Sequence, residues 1–167
     1  MIHELAKALE PWKSAFSDSK VIAGSVTGVH ILALLFGGGL AIGADRTTLR
    51  LATTDESERN RLLADLHDVH RPVLIALSFL FVTGVLLASA DVETFLPSPV
   101  FWVKLSLIAL LLGNGGVLTL TENALRAQPA VAPDQRAKLW SRLRMSSMCS
   151  IALWTATAIA GITLVNL

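Results

Sequence analysis

Charge is what this chain has least of. Only 16% of its 167 residues are Asp, Glu, Lys or Arg, while 53% are hydrophobic and the mean hydropathy is +0.59. Soluble domains are about a quarter charged, so the deficit points away from an ordinary soluble domain. A formal net charge of +1 implies no general attraction to nucleic acid. The single cysteine, Cys149, excludes an intrachain disulfide framework. Catalytic signatures are missing too: there is no HExxH, no CxxC, no GxSxG and no glycine-rich phosphate loop of an accepted form. No nucleophile or acid/base pair stands out, so an enzyme, for instance one acting on a lipid or quinone, is the least supported class.

The stretches without charge are long. Nothing is formally charged between Lys20 and Asp45, between Arg71 and Asp91, or from Met145 to the C-terminus, and only Lys104 interrupts the run from Thr94 to Thr121. A bilayer core about 30 Å thick needs roughly 20 helical residues. Four transmembrane helices are therefore expected, at about 20–44, 71–90, 99–121 and 146–166. A soluble helical bundle would need polar faces at helical period, which these segments lack. The expected fold is a single all-α domain, an integral membrane four-helix bundle. The first apolar run is too long for a signal peptide and follows an acidic segment, so neither cleavage nor a lipid anchor is expected.

Basic residues set the expected orientation. Arg46, Arg50, Arg59, Arg61 and Arg71 flank the first long loop, and Arg126, Arg136, Lys138, Arg142 and Arg144 flank the second. Against these ten stand Lys7, Lys13, Lys20 and Lys104. Both long loops are expected in the cytoplasm of a bacterial inner membrane and both termini outside it. Lys104 is expected to snorkel to the outer interface beside Phe101 and Trp102. In the N-terminal segment Ile2, Leu5, Leu9 and Trp12 follow helical spacing. They predict an interfacial helix over about 2–16, interrupted near Pro11. "TTDESERNRLLADLHDVHRP" opens like a helix N-terminus and continues with Leu62, Leu63, Leu66 and Val69. It predicts an amphipathic cytoplasmic extension over about 55–70, kinked at Pro72. "RAQPAVAPDQRAKLW" reads as the break before the last helix.

Within "VHILALLFGGGLAIGADR", His30 lies near mid-helix, and ionisable groups inside a membrane are functional candidates. It is a hydrogen-bonded interhelical residue, with Ser78, Ser106, Asn114 or Thr155 as partners, a cofactor ligand for a metal or haem, or a group for proton or quinone chemistry. His70 lies roughly 15–18 Å from it along the bundle at 1.5 Å per residue. The two cannot share one iron. His67 and His70, three residues apart, share a depth with Met145, Met148 and Cys149, a donor set suited to copper, especially Cu(I). Gly37, Gly38 and Gly39 read as a close helix-packing face, and Asn114 as an interhelical hydrogen bond. Glu122 is expected to pair with the basic loops.

The segments "LEPWKSAFSDS", "VHILALLFGGGLAIGADRTTLR", "IALSFLFVTGVLLASADVETF" and "FWVKLSLIALLLGNG" resemble a family of uncharacterised bacterial four-helix membrane proteins. More distantly they are similar to the membrane domain of copper-resistance D-type proteins. That resemblance covers most of residues 5–123 and implies copper handling, with His30, Gly37, Gly38 and Lys104 at matching positions. Phe36 stands where that pattern has Trp. Two functions compete: a small membrane protein binding copper or haem, in copper handling or electron transfer, and a non-catalytic accessory subunit packed into a larger membrane complex or homo-oligomer. In either case its surroundings are membrane lipid.

Overall fold

The computed structural model describes residues 2–51, 55–127 and 132–166. Every regular element among them is a helix: α1 (Ile2–Asp18), α2 (Lys20–Leu51), α3 (Glu56–Ala90), α4 (Val92–Phe95), α5 (Pro99–Ala127) and α6 (Pro133–Val165). Four of them, α2, α3, α5 and α6, are long and apolar enough to cross a membrane. At 1.5 Å per residue a helix of 32 residues, as α2 is, reaches roughly 48 Å. Each long helix therefore outruns a bilayer core.

Pairings along the chain give the topology. His30 meets Thr83, and Gly37 meets Ala76. As one index rises the other falls, so α2 and α3 are antiparallel. Asn114 with Ser146 and Lys104 with Gly161 show the same for α5 and α6. The fold is thus two antiparallel hairpins side by side. They join through α2 and α6, whereas α3 and α5 lack the run of backbone contacts seen in the other neighbouring pairs. α1 and the end of α6 lie at one end of the bundle; α2 gives way to α3, and α5 to α6, at the other, where the sequence predicts the long connections.

At the long-connection end the helices build a core of the soluble kind. Leu62, Leu63 and Leu66 of α3 pack with Leu125 of α5 and with Trp140 and Leu143 of α6. These leucines recur at helical spacing among exposed polar residues, so the amphipathic segment buries its apolar stripe against the other hairpin. The Arg59 guanidinium lies 5.2 Å from the centre of the Trp140 ring.

At the opposite end α1 lies across α3. Trp12 Nε1 donates to Leu86 O at 3.0 Å, and Lys13 pairs with Glu93 at 3.3 Å. The sequence pattern predicts an interruption near Pro11, but α1 is one helix through it. Proline removes a single donor, and the Trp12 anchor lies next to it. Likewise α3 continues through Pro72, with Asp55 as its extended N-cap. The break expected around "AQPAVAP" falls partly outside the described residues, and α6 begins with Pro133 at its first position.

Candidate functional site

His30 stands on the buried stripe of α2 that also carries Ala33, Gly37, Asp45 and Thr48. Its Nδ1 lies 2.8 Å from Thr83 Oγ1. The Thr83 hydroxyl lies 2.6 Å from Phe79 O, to which it donates its one proton. Thr83 therefore accepts from His30, and Nδ1 carries the imidazole proton. That leaves Nε2 with a lone pair. Gly84 follows Thr83 and lies against the ring: a Cβ there would stand at ordinary contact distance, 3.6 Å, from His30 Cε1. The partners expected from sequence do not serve. Ser78, Ser106 and Thr155 each bond back to their own helix, and Asn114 is engaged elsewhere. The "TG" of "FVTGV" was the available signal: a hydroxyl followed by a gap.

The Lys104 stem runs along α6 toward its C-terminal end, where its Nζ lies 3.3 Å from where a Cβ on Gly161 would be. Gly161 admits the lysine stem into the bundle. Phe101 and Trp102 form an edge-on pair, with Phe95 stacked on Phe101. Trp102 Nε1 donates to Leu96 O.

Of the three glycines, two are packed. A Cβ on Gly37 would stand 2.8 Å from Ala76 Cβ, and one on Gly38 would stand 3.2 Å from Trp154 Cε3. Gly39 faces outward with nothing within 4 Å of such a Cβ. Three consecutive helical residues sweep roughly 200°, so one of the three has to leave the interface. Asn114 Nδ2 donates to Ser146 O at 2.9 Å, and Ser146 Oγ donates to Asn114 Oδ1 at 2.7 Å.

The copper set is not assembled. Met145, Met148 and Cys149 are all exposed, because α6 turns Leu143, Ser146, Ser147 and Ser150 into the bundle instead. His70 is held by Leu66 O at 2.8 Å, and its Nε2 lies 3.3 Å from Thr119 Oγ1. It faces Glu122 at 3.6 Å, so the buried Glu122 turns toward a histidine of α3. The His67 side chain lies outside the described residues. Among the described residues no group of three or more His, Cys, Asp or Glu side chains converges as a metal site. A thiol and two thioethers pointing away from the imidazole cannot share an ion with it.

No family model, no curated protein and no solved structure matches the chain.

Proposed function

We propose that the protein is an integral membrane subunit that offers one imidazole, His30, to a group held in the outer half of a bacterial inner membrane. The observation that supports this is the fixed tautomer. Histidines that ligate through Nε2 characteristically donate Nδ1–H to a neighbouring acceptor, which orients the ring and raises its basicity. Thr83, itself tied to Phe79 O, is that acceptor here. Haem suits a single such donor, and when bound it would supply one-electron chemistry. His30 would hold the iron, and Thr83 would orient its ring. Among the described residues copper has no comparable donor set.

Purification from haem-replete cells in mild detergent, followed by a visible spectrum and iron analysis, tests the reading. The expected result is a Soret band that His30→Ala removes while helical circular dichroism is kept. A colourless, iron-free wild type, or a band that survives His30→Ala, overturns it.

The accessory-subunit reading has its own support. Gly24, Gly28, Gly39 and Gly43 form two four-residue pairs on the outward side of α2, with nothing within 4 Å of a Cβ at any of them. Small residues at that spacing let two membrane helices approach closely. Native gels of mild-detergent extracts should show a complex larger than one chain, shifted to monomer by Gly28→Leu with Gly39→Leu. A monomeric wild type, or an unshifted double variant, counts against this reading and leaves the spectral test untouched.

A further inference from the structure

Where α2 meets α6, near the long-connection end, a carboxylate is buried without a basic partner. Asp45 is 5% exposed, and no Lys, Arg or His forms an ion pair with it among the described residues. Its neighbours Arg46 and Arg50 point outward. What surrounds Asp45 is hydroxyl oxygen. α6 runs antiparallel to α2, and Trp154 over Gly38 sets the buried Ser147 and Ser150 at the level of Asp45, while Thr48 lies one turn further along the same buried stripe of α2. Ser150, Ser147 and Thr48 are all buried. Thr48 Oγ1 spends its proton on Ala44 O at 3.0 Å, which leaves its lone pairs free.

Ser147 is the anomaly. It is wholly buried at the level of Asp45, yet its Oγ meets no partner in hydrogen-bonding geometry. A buried unsatisfied hydroxyl is costly, and an uncompensated buried carboxylate costs more. Each defect asks for the same thing, a positive centre between the oxygens. Hard cations hold oxygen ligands at roughly 2.3–2.6 Å, which spaces adjacent ligand oxygens by roughly 3.3–3.7 Å. That spacing brings oxygens together without letting them hydrogen-bond to each other. One carboxylate neutralises one charge, so the ion is monovalent. With oxygen ligands only, soft metals are disfavoured.

We propose that Asp45, Thr48, Ser147 and Ser150 form a sodium site that clamps α2 to α6. The site is independent of His30, which lies fifteen positions earlier on α2.

The test uses the full chain in detergent, melted in sodium chloride and in N-methylglucamine chloride at equal ionic strength. A ligand that binds the folded state raises the melting temperature with its concentration. Wild type is expected to melt higher in sodium, with a shift that saturates. Asp45→Asn should abolish the shift, and Ser147→Ala should move its midpoint to at least severalfold higher sodium. His30→Ala should keep the shift in full. If Asp45→Asn does not fold, sodium-23 NMR line broadening by wild type, relieved in Ser147→Ala, replaces the melt. Equal melting in both salts, or a sodium shift that survives Asp45→Asn, overturns the proposal. The first of these outcomes, with Asp45→Asn more stable than wild type, would assign a proton to Asp45 instead.

Discussion

Gly37 on α2 and Ala76 on α3 approach so closely that a Cβ on the glycine would stand 2.8 Å from the alanine Cβ. Neither side can yield by rotating a flexible chain, so any added methyl must separate the two helices. Gly37→Ala is therefore expected to destabilise the hairpin by about 1–3 kcal/mol, the usual cost of overpacking. Gly39→Ala, in open space two residues on, should be neutral or stabilising by up to about 1 kcal/mol, since alanine is the better helix former. Thermal melts of the two variants in one detergent give the comparison. Equal effects would contradict the packing described here.

The Asn114–Ser146 pair joins α5 to α6 by reciprocal hydrogen bonds. Such interhelical pairs in membrane bundles average about 0.6 kcal/mol of coupling and reach about 1.7. A double-mutant cycle of Asn114→Ala and Ser146→Ala should fall near that average, because only the bond from Ser146 Oγ to Asn114 Oδ1 is shared by both side chains. One of the two, from Asn114 Nδ2, ends on a backbone carbonyl and survives Ser146→Ala. A coupling near zero would mean that the pair is not formed in the folded state.

Nitrogen-15 spectra of histidine-labelled protein report which ring nitrogen of His30 bears the proton. The expected wild-type signature is a protonated Nδ1. Thr83→Val removes the acceptor and should shift or broaden that signal while the helices stay intact. An Nε2–H signature in the wild type would reverse the tautomer argued from Thr83.

Leu143 is fully buried between the hairpins at the long-connection end. Leu143→Ala should cost about 2–5 kcal/mol, as other buried Leu-to-Ala changes do. Met145→Ala, two residues on but exposed, should change stability by less than about 0.5 kcal/mol. Denaturant melts would distinguish the two.

Orientation is testable separately. Reporter fusions after Pro133 and at the C-terminus should report opposite sides, with the basic loops in the cytoplasm. Matching reports would reject the expected arrangement.

The long apolar helices were legible because charge is absent over lengths that only a long buried or lipid-facing helix needs. The orientation of side chains around those helices was not. The segment 145–166 is uncharged all round, so charge periodicity cannot say which stripe faces inward. Met145, Met148 and Cys149 and the set Ser146, Ser147 and Ser150 lie on faces of α6 roughly 150° apart, at about 100° per residue. The chemistry of the first set drew attention, and packing chose the second. The path of Lys104 was hidden for a similar reason: the room beside its stem is left by Gly161, 57 residues later. Asp45 looked like the end of an apolar run because nothing local marks it as buried; its setting is made by serines on α6.

The seam between the hairpins also bears on how the chain is made. Each hairpin is held by its own contacts: His30 with Thr83 and Gly37 with Ala76 in one, Asn114 with Ser146 in the other. Between them runs one boundary, where Trp154 lies over Gly38 and Asp45 lies level with the serines of α6. The first hairpin can thus be complete while the ribosome is still synthesising the second. The two can then meet by diffusion within the plane of the bilayer. A gene cut between Phe95 and Pro99 would yield two half-proteins, each a finished helical pair, able to find one another without the covalent link.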